Sequence, residues 1–257
     1  IQKNKGYLPG IFLSRSKMNP VRNEISNGAK AIFVTGTDTG VGKTIIVGLL
    51  AKFLQDKGLR VVTQKWIQTG DKGISSDIKV HLKLMGKPRP YLSLQSPYVF
   101  KLPASPHLAA TKEKKKISPV KIKSDFKALA KKFDLVIVEG VGGSLVPFSK
   151  KKLVIDIAQD LKLPVLIVSA NKLGAINHTL LTIEAIKKRE IKIIGLIFSN
   201  TCPKVNRTIL KDNPRIIESI SQEKILGILP YCQNKNLLPK RFIPIGKKIS
   251  SCPGFLI

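Results

Sequence analysis

Cysteine is scarce in this chain. Cys202, Cys232 and Cys252 are its three, and none forms a CxxC pair, which excludes a disulfide framework and a cysteine-built zinc site and points to a reducing compartment. Long apolar runs are missing as well. Stretches such as Leu163 to Ala170 are strand-length, well short of the roughly 20 residues a membrane helix needs, so the expected location is the cytoplasm and no membrane partner is expected. Acidic residues are few, 16 Asp and Glu against 45 Lys and Arg, for a formal charge of +29. Such a charge invites a nucleic-acid or anionic-membrane partner. Its spread speaks against one: lysines run along the whole chain, with short clusters only at Lys112 to Lys116 and Lys150 to Lys152, and no aromatic-interleaved basic motif accompanies them. A generic basic surface without a nucleic-acid partner is the reading that fits.

What is present suffices for a core. With 43% hydrophobic residues over 257 positions, the chain can fold as one domain of the larger kind. Residues 1–29 mix Gly, Pro, Ser, Asn and basic side chains without a period, the pattern of a disordered leader, and Met18 is a candidate start. One domain is expected over residues 30–257, ending in a basic tail after Lys235. From Ala31 onward, runs of Val, Ile and Leu alternate with helix-like segments, which predicts an α/β fold with a mostly parallel central sheet flanked by helices on both faces. The expected strands are Ala31 to Thr35, Arg60 to Gln64, Leu135 to Val138, Val165 to Ser169, Ile193 to Phe198 and Ile225 to Ile228. Expected helices are Lys43 to Lys57, Asp77 to Met85, Pro119 to Lys132, Val154 to Asp160, Ile176 to Lys188 and Asn206 to Gln222. In the first helix Ile45, Leu49, Leu50 and Leu54 share a face toward the sheet, while Lys52 and Gln55 face outward.

Ligands of such sheets bind beyond the carboxyl ends of the strands. Directly after the first strand stands Gly36-Thr37-Asp38-Thr39-Gly40-Val41-Gly42-Lys43-Thr44, and a helix follows. This is the context of a phosphate-binding loop. Small residues let backbone N–H groups turn onto phosphate, the helix start adds positive charge, Lys43 reaches the β- and γ-phosphates, and Thr44 can ligate magnesium. The spacing is one residue longer than the common form, with Thr37 in the usual glycine place.

Two further stations follow. The second strand leads into Lys65, Trp66, Ile67, Gln68, Thr69 and Gly70, which sets Lys65 beside the loop if the first two strands lie close. The apolar strand Leu135 to Val138 delivers Glu139 to the same edge, followed by glycines, as a magnesium ligand. Asp77, opening a helix, either completes the metal shell or caps the helix. His107 and His178 read as packing residues without a catalytic role.

These stations resemble dethiobiotin synthetases over most of Ala31 to Tyr231. The motifs are Gly36 to Thr44, Lys65 to Gly70, Ser105 to His107, Glu139 to Gly143, Lys172 to His178 and Ser199 to Thr201. The resemblance implies a P-loop fold, a homodimer, and ATP- and Mg2+-dependent closure of a ureido ring on 7,8-diaminononanoate with CO2. It implies Lys43 and Lys65 as the catalytic cations, and Thr44, Asp77 and Glu139 as the metal ligands. It also implies nucleotide contacts from Thr39, Gly40, Val41, Gly42, Lys43, Thr44, Asn200, Pro230 and Tyr231. Substrate contacts are implied at Thr39, Lys65, Thr69 and the helix start Gly174, Ala175, Ile176 and Asn177, the last group reaching the substrate carboxylate across the dimer. Two departures stand out: Gly40 replaces a glutamate found in some members, and Trp66 replaces the common proline, with bulk expected to reshape the diamine pocket. The alternative is a MinD/ParA-like ATPase with a polyanion or protein partner, opposed by Asp38 where those proteins carry a signature lysine.

Overall fold

In a computed structural model of the protein, residues 30–86 and 93–253 are described; the leader expected at residues 1–29 lies outside them. The chain enters the sheet with β1 (Lys30–Gly36), followed by α1 (Lys43–Gln55), β2 (Val61–Lys65), the short β3 (Ile67–Thr69) and α2 (Ser76–Met85). Then come β4 (Tyr98–Phe100), α3 (Pro106–Lys112), α4 (Pro119–Ala130), β5 (Leu135–Gly143), α5 (Val154–Asp160) and β6 (Val165–Ala170). The last elements are α6 (Ala175–Lys187), β7 (Ile193–Ser199), α7 (Arg207–Ser221), β8 (Ile225–Leu229) and α8 (Leu238–Ser250).

Six strands form one parallel sheet in the order β2-β5-β1-β6-β7-β8. Because both faces are covered, the strands are apolar at successive positions, and alternate residues feed two cores. Ala31 and Phe33 join Val136, Val138, Ile167 and Phe198 under α4, α5 and α6. Ile32 and Val34 join Leu135, Ile137, Val168 and Ile197 under α1 and α8. The expected strands and helices thus stand, with ends moved by a residue or two, except that β5 runs five residues past the expected end at Val138 and takes in Glu139 to Gly143.

Three features depart from expectation. β1 and β2 are not neighbours; β5 lies between them. Gln55 is buried, because α1 packs against α2 and α8 as well as the sheet, so its burial is not confined to one face. The basic tail contains a helix: in α8, Leu238, Phe242, Ile245 and Ile249 recur at helical spacing and are buried against α1 and β8, while Lys240, Arg241, Lys247 and Lys248 face water. Pro239 sits at the helix start, where a missing N–H costs nothing. Pro244 is exposed, so the Lys240 carbonyl that loses its intrahelical partner lies on a stretch of helix that water can reach. Two smaller elements also escaped the sequence pattern: α3, and the two-stranded parallel sheet of β3 and β4. With Phe242 only 1% exposed, Phe242→Ala is expected to lower unfolding stability by about 3–5 kcal/mol. A chemical denaturation midpoint unchanged from wild type would show that α8 is not part of the core.

Candidate functional site

The loop from β1 to α1 lies at the carboxyl edge of the sheet. Gly42 caps α1 with φ +98, and a Cβ there would come within 2.8 Å of Ser199 Oγ, so this position needs glycine on two counts. Lys43 is the first helical residue, and its Nζ donates to the Asp38 carbonyl at 2.8 Å. Thr39 and Gly40 are exposed at the loop's crest, while Val41 is buried in the core beneath it.

Next to this loop a cation and two carboxylates converge. The register aligns Lys65 with Glu139 across β2 and β5, and Glu139 with Val34 across β5 and β1. Lys65 Nζ donates at 2.7 Å to Asp77 Oδ2, at 3.0 Å to Glu139 Oε1 and at 2.8 Å to the Gly140 carbonyl. An ammonium has three donors, and all three are used. Thr44 Oγ1 lies 2.9 Å from Glu139 Oε1 and 3.2 Å from Asp77 Oδ1. Burial works against both charges, yet the pair offsets it: the Lys65 ammonium and then His81 hold the Glu139 carboxyl well below the usual carboxylate range. Glu139 and Asp77 in turn hold Lys65 above its ordinary value despite desolvation. Lys65 is therefore a fixed cation at neutral pH. Lys43 differs, since desolvation and then the neighbouring Lys65 charge lower it to about 8.

Ser75 caps α2, its hydroxyl accepting from the Ile78 N–H at 3.2 Å and donating to Gln68 at 2.7 Å. The cap is therefore Ser75 and not Asp77, whose two oxygens face Lys65 and Thr44. Sequence reasoning missed His81, which is fully buried and whose Nε2 lies 2.8 Å from Glu139 Oε2. Its signal was the four-residue spacing from Asp77, which places both on one helix face. Trp66 does not enter a pocket. It is 1% exposed, stacks on Phe33 at 5.2 Å and donates to Gln64. That Phe33 ring also lies where a Cβ on Gly140 would sit, at 2.8 Å, so the apolar stack fixes the backbone carrying the Lys65 acceptor.

Two carboxylates and a hydroxyl suit a magnesium ion that keeps its other positions for phosphate and water. No group of three His, Cys, Asp or Glu among the described residues could hold a metal ion. On the far side, the Asn200 N–H donates to the Leu229 carbonyl at 2.9 Å, bringing Asn200 beside Pro230 and the half-exposed Tyr231. Asn200 Oδ1 is buried with no hydrogen-bond partner among the described residues. Thr69 ends β3, partly buried. Gly174 to Asn177 start α6 at the end of β6, with Gly174 and Asn177 exposed, and share no hydrogen bond with the lysine–carboxylate cluster among the described residues. His107 bonds Ser105 at 3.1 Å, in keeping with a packing role.

Residues 30–236 match the family model described as an AAA domain. An ATP-dependent dethiobiotin synthetase of Haemophilus influenzae is 43% identical over 71% of this chain and 96% of its own length. The one from Thermodesulfovibrio yellowstonii is 37% identical over 79% of this chain and 90% of its own. Among solved structures, the Pyrococcus furiosus cell division ATPase MinD superposes with a TM-score of 0.56 at 17% identity, covering 86% of this chain and 98% of that one. That likeness is one of fold. No helix among the described residues is long and apolar enough to cross a membrane.

Two measurements test the electrostatics. Lys65→Met leaves Glu139 and Asp77 without their shared cation and is expected to cost about 3–5 kcal/mol of stability, part of which Lys65→Met with Glu139→Gln recovers. A stable single variant would refute the cluster. Because Lys43 is lowered from 10.5 to about 8, the folded protein loses this proton before the unfolded chain does, and the linked stability rises with pH across that window. Triphosphate binding should accordingly take up close to one proton above pH 8 and little below pH 7, as read by calorimetry in buffers of different ionisation enthalpy. Equal uptake at both pH values would show that Lys43 is not perturbed.

Proposed function

The chain belongs to the ATP-dependent dethiobiotin synthetase family, and on that premise we propose how its own residues close the ureido ring of dethiobiotin. The enzyme is an ATP-dependent ligase of biotin biosynthesis that acts on small-molecule substrates. One amine of 7,8-diaminononanoate takes up CO2 as a carbamate, the γ-phosphoryl group activates that carbamate as a mixed anhydride, and the second amine displaces phosphate. The chemistry needs no covalent nucleophile from the protein.

Backbone N–H groups of Thr39 to Thr44 and the start of α1 cradle the phosphates, with Lys43 on the β- and γ-oxygens. Lys65, kept protonated by its two carboxylate partners, acts through its fixed positive charge, which stabilises the carbamate and the charge that grows on the phosphoryl group during transfer. Thr44, Asp77 and Glu139 would hold Mg2+, which would supply charge neutralisation to the triphosphate. Thr39 and Thr69 orient the reacting groups, Asn200 reads adenine with Pro230 and Tyr231 against the base, and Gly174 to Asn177 receive the substrate carboxylate at the start of α6. The last contact implies a homodimer, with each α6 start serving the partner's substrate. The working unit is one domain from Lys30 onward, in the cytoplasm, with no nucleic-acid partner.

The observation that carries this reading is the buried Lys65 bridging Asp77 and Glu139 next to the phosphate loop. A partitioning-type ATPase is supported by shape alone. Phosphate release from Mg-ATP with bicarbonate should depend on the diamine and yield a product of dethiobiotin mass. Lys43→Ala and Lys65→Ala should each lower turnover by at least about 100-fold. Hydrolysis indifferent to the diamine but stimulated by DNA or lipid would overturn the assignment.

A further inference from the structure

Two buried asparagines join the start of α6 to α7, and nothing in the reaction described above uses them. Asn171, 1% exposed, follows β6; Asn213, 4% exposed, lies within α7. Asn213 Nδ2 donates to Asn171 Oδ1 at 3.0 Å and to the Lys172 carbonyl at 3.0 Å. Asn171 Nδ2 donates to the Leu210 carbonyl at 2.9 Å. That carbonyl is open for a reason. Its intrahelical donor would be residue 214, and Pro214 has no N–H. Unlike exposed Pro244, Pro214 is buried, so water is no ready substitute and the Asn171 amide takes the vacated bond.

The loop held in this way is the one that sets α6. The Lys172 carbonyl, gripped by Asn213, also accepts from the Ala175 N–H at 3.1 Å, the first amide of the helix. Helix geometry then leaves the N–H groups of Ile176 and Asn177 without an intrahelical acceptor. The Asn171 N–H bonds the Ser199 carbonyl at 2.9 Å, tying the same loop to the end of β7. Leu173, 81% exposed, has no packing to hold the loop. Its placement therefore rests on the hydrogen bonds to α7 and β7.

We propose that Asn171 and Asn213, enabled by Pro214, are positioning residues that aim the α6 N-terminus at the substrate carboxylate. The proposal rests on the reading of Gly174 to Asn177 as the carboxylate site. It is tested with the full chain by comparing KM for 7,8-diaminononanoate and for its terminal carboxamide, which offers the same amines without the negative charge. Wild type should prefer the acid. Asn171→Ala with Asn213→Ala should raise KM for the acid about tenfold, the loss of about 1.4 kcal/mol, and leave KM for the amide, KM for ATP and kcat within about twofold. That double variant also strands the Leu210 carbonyl and should melt earlier.

Adding Pro214→Ala returns an N–H to Leu210 while the loop stays unclamped. This triple variant should regain stability yet remain unable to favour the acid. A merely structural role predicts the reverse, with acid preference returning as stability does, and that result would overturn the proposal. If wild type itself fails to distinguish acid from amide, the α6 carboxylate site is wrong and the clamp falls with it. If wild type distinguishes them and the triple variant does too, only the clamp is wrong.

Discussion

The buried ammonium of Lys65 is the constraint on which the rest of the site depends. Desolvating one lysine and one glutamate is expensive, and the cost is offset only because each donor finds an acceptor: Asp77, Glu139 and the Gly140 carbonyl. Those acceptors belong to α2 and, at the successive positions 139 and 140, to β5. Satisfying one cation therefore fixes the angle of α2 on the sheet, the height of β5 and the path of the chain beyond Val138. Glu139 is equally occupied, with Thr44 and Lys65 at one oxygen and His81 at the other. Such a network has little freedom to reorganise when charge moves, which is what transition-state stabilisation requires.

Much of this was legible in the sequence because the signals were local. A β-rich run followed by small residues, Lys43 and Thr44 can be read without knowing what lies elsewhere, and so can an apolar strand ending in Glu139. Lys65 was placed at the loop on the condition that the first two strands lie close; β5 stands between them, and Lys65 joins the cluster through Glu139 on that strand. The inference held because adjacent parallel strands in register end at one edge, so a side chain one strand further away still reaches it. Sheet order itself carries no local signal.

What was not legible depends on partners distant in sequence. His81 on a helix face looks like any core histidine until Glu139 is set against it. Trp66 looked like a pocket wall because the residue beside it is functional, but Lys65 points at the site and its neighbour points away, as alternation along an extended segment dictates. The helix α8 was hidden by Pro239, Pro244 and interspersed lysines, each a discouraging sign for a helix when read alone. All are tolerated, the first proline by position and the second, with the lysines, by facing water.

The two interior prolines show why burial, and not residue type, decides what an irregularity can become. Pro214 and Pro244 remove the same helical bond. At Pro244 the gap lies on an exposed stretch of helix, where water is available and no side chain need be drawn in. At Pro214 the freed carbonyl is met by Asn171, and satisfying it draws a neighbouring loop onto the helix. A helix that kept its own bond at Leu210 would give Asn171 less to hold, and the loop before α6 would lean on Asn213 and Ser199 alone. The same logic operates at Lys65, where a backbone carbonyl completes the coordination of a buried charge. In both places a main-chain acceptor left over from regular structure is paired with a polar side chain, and order passes from the fold to a site.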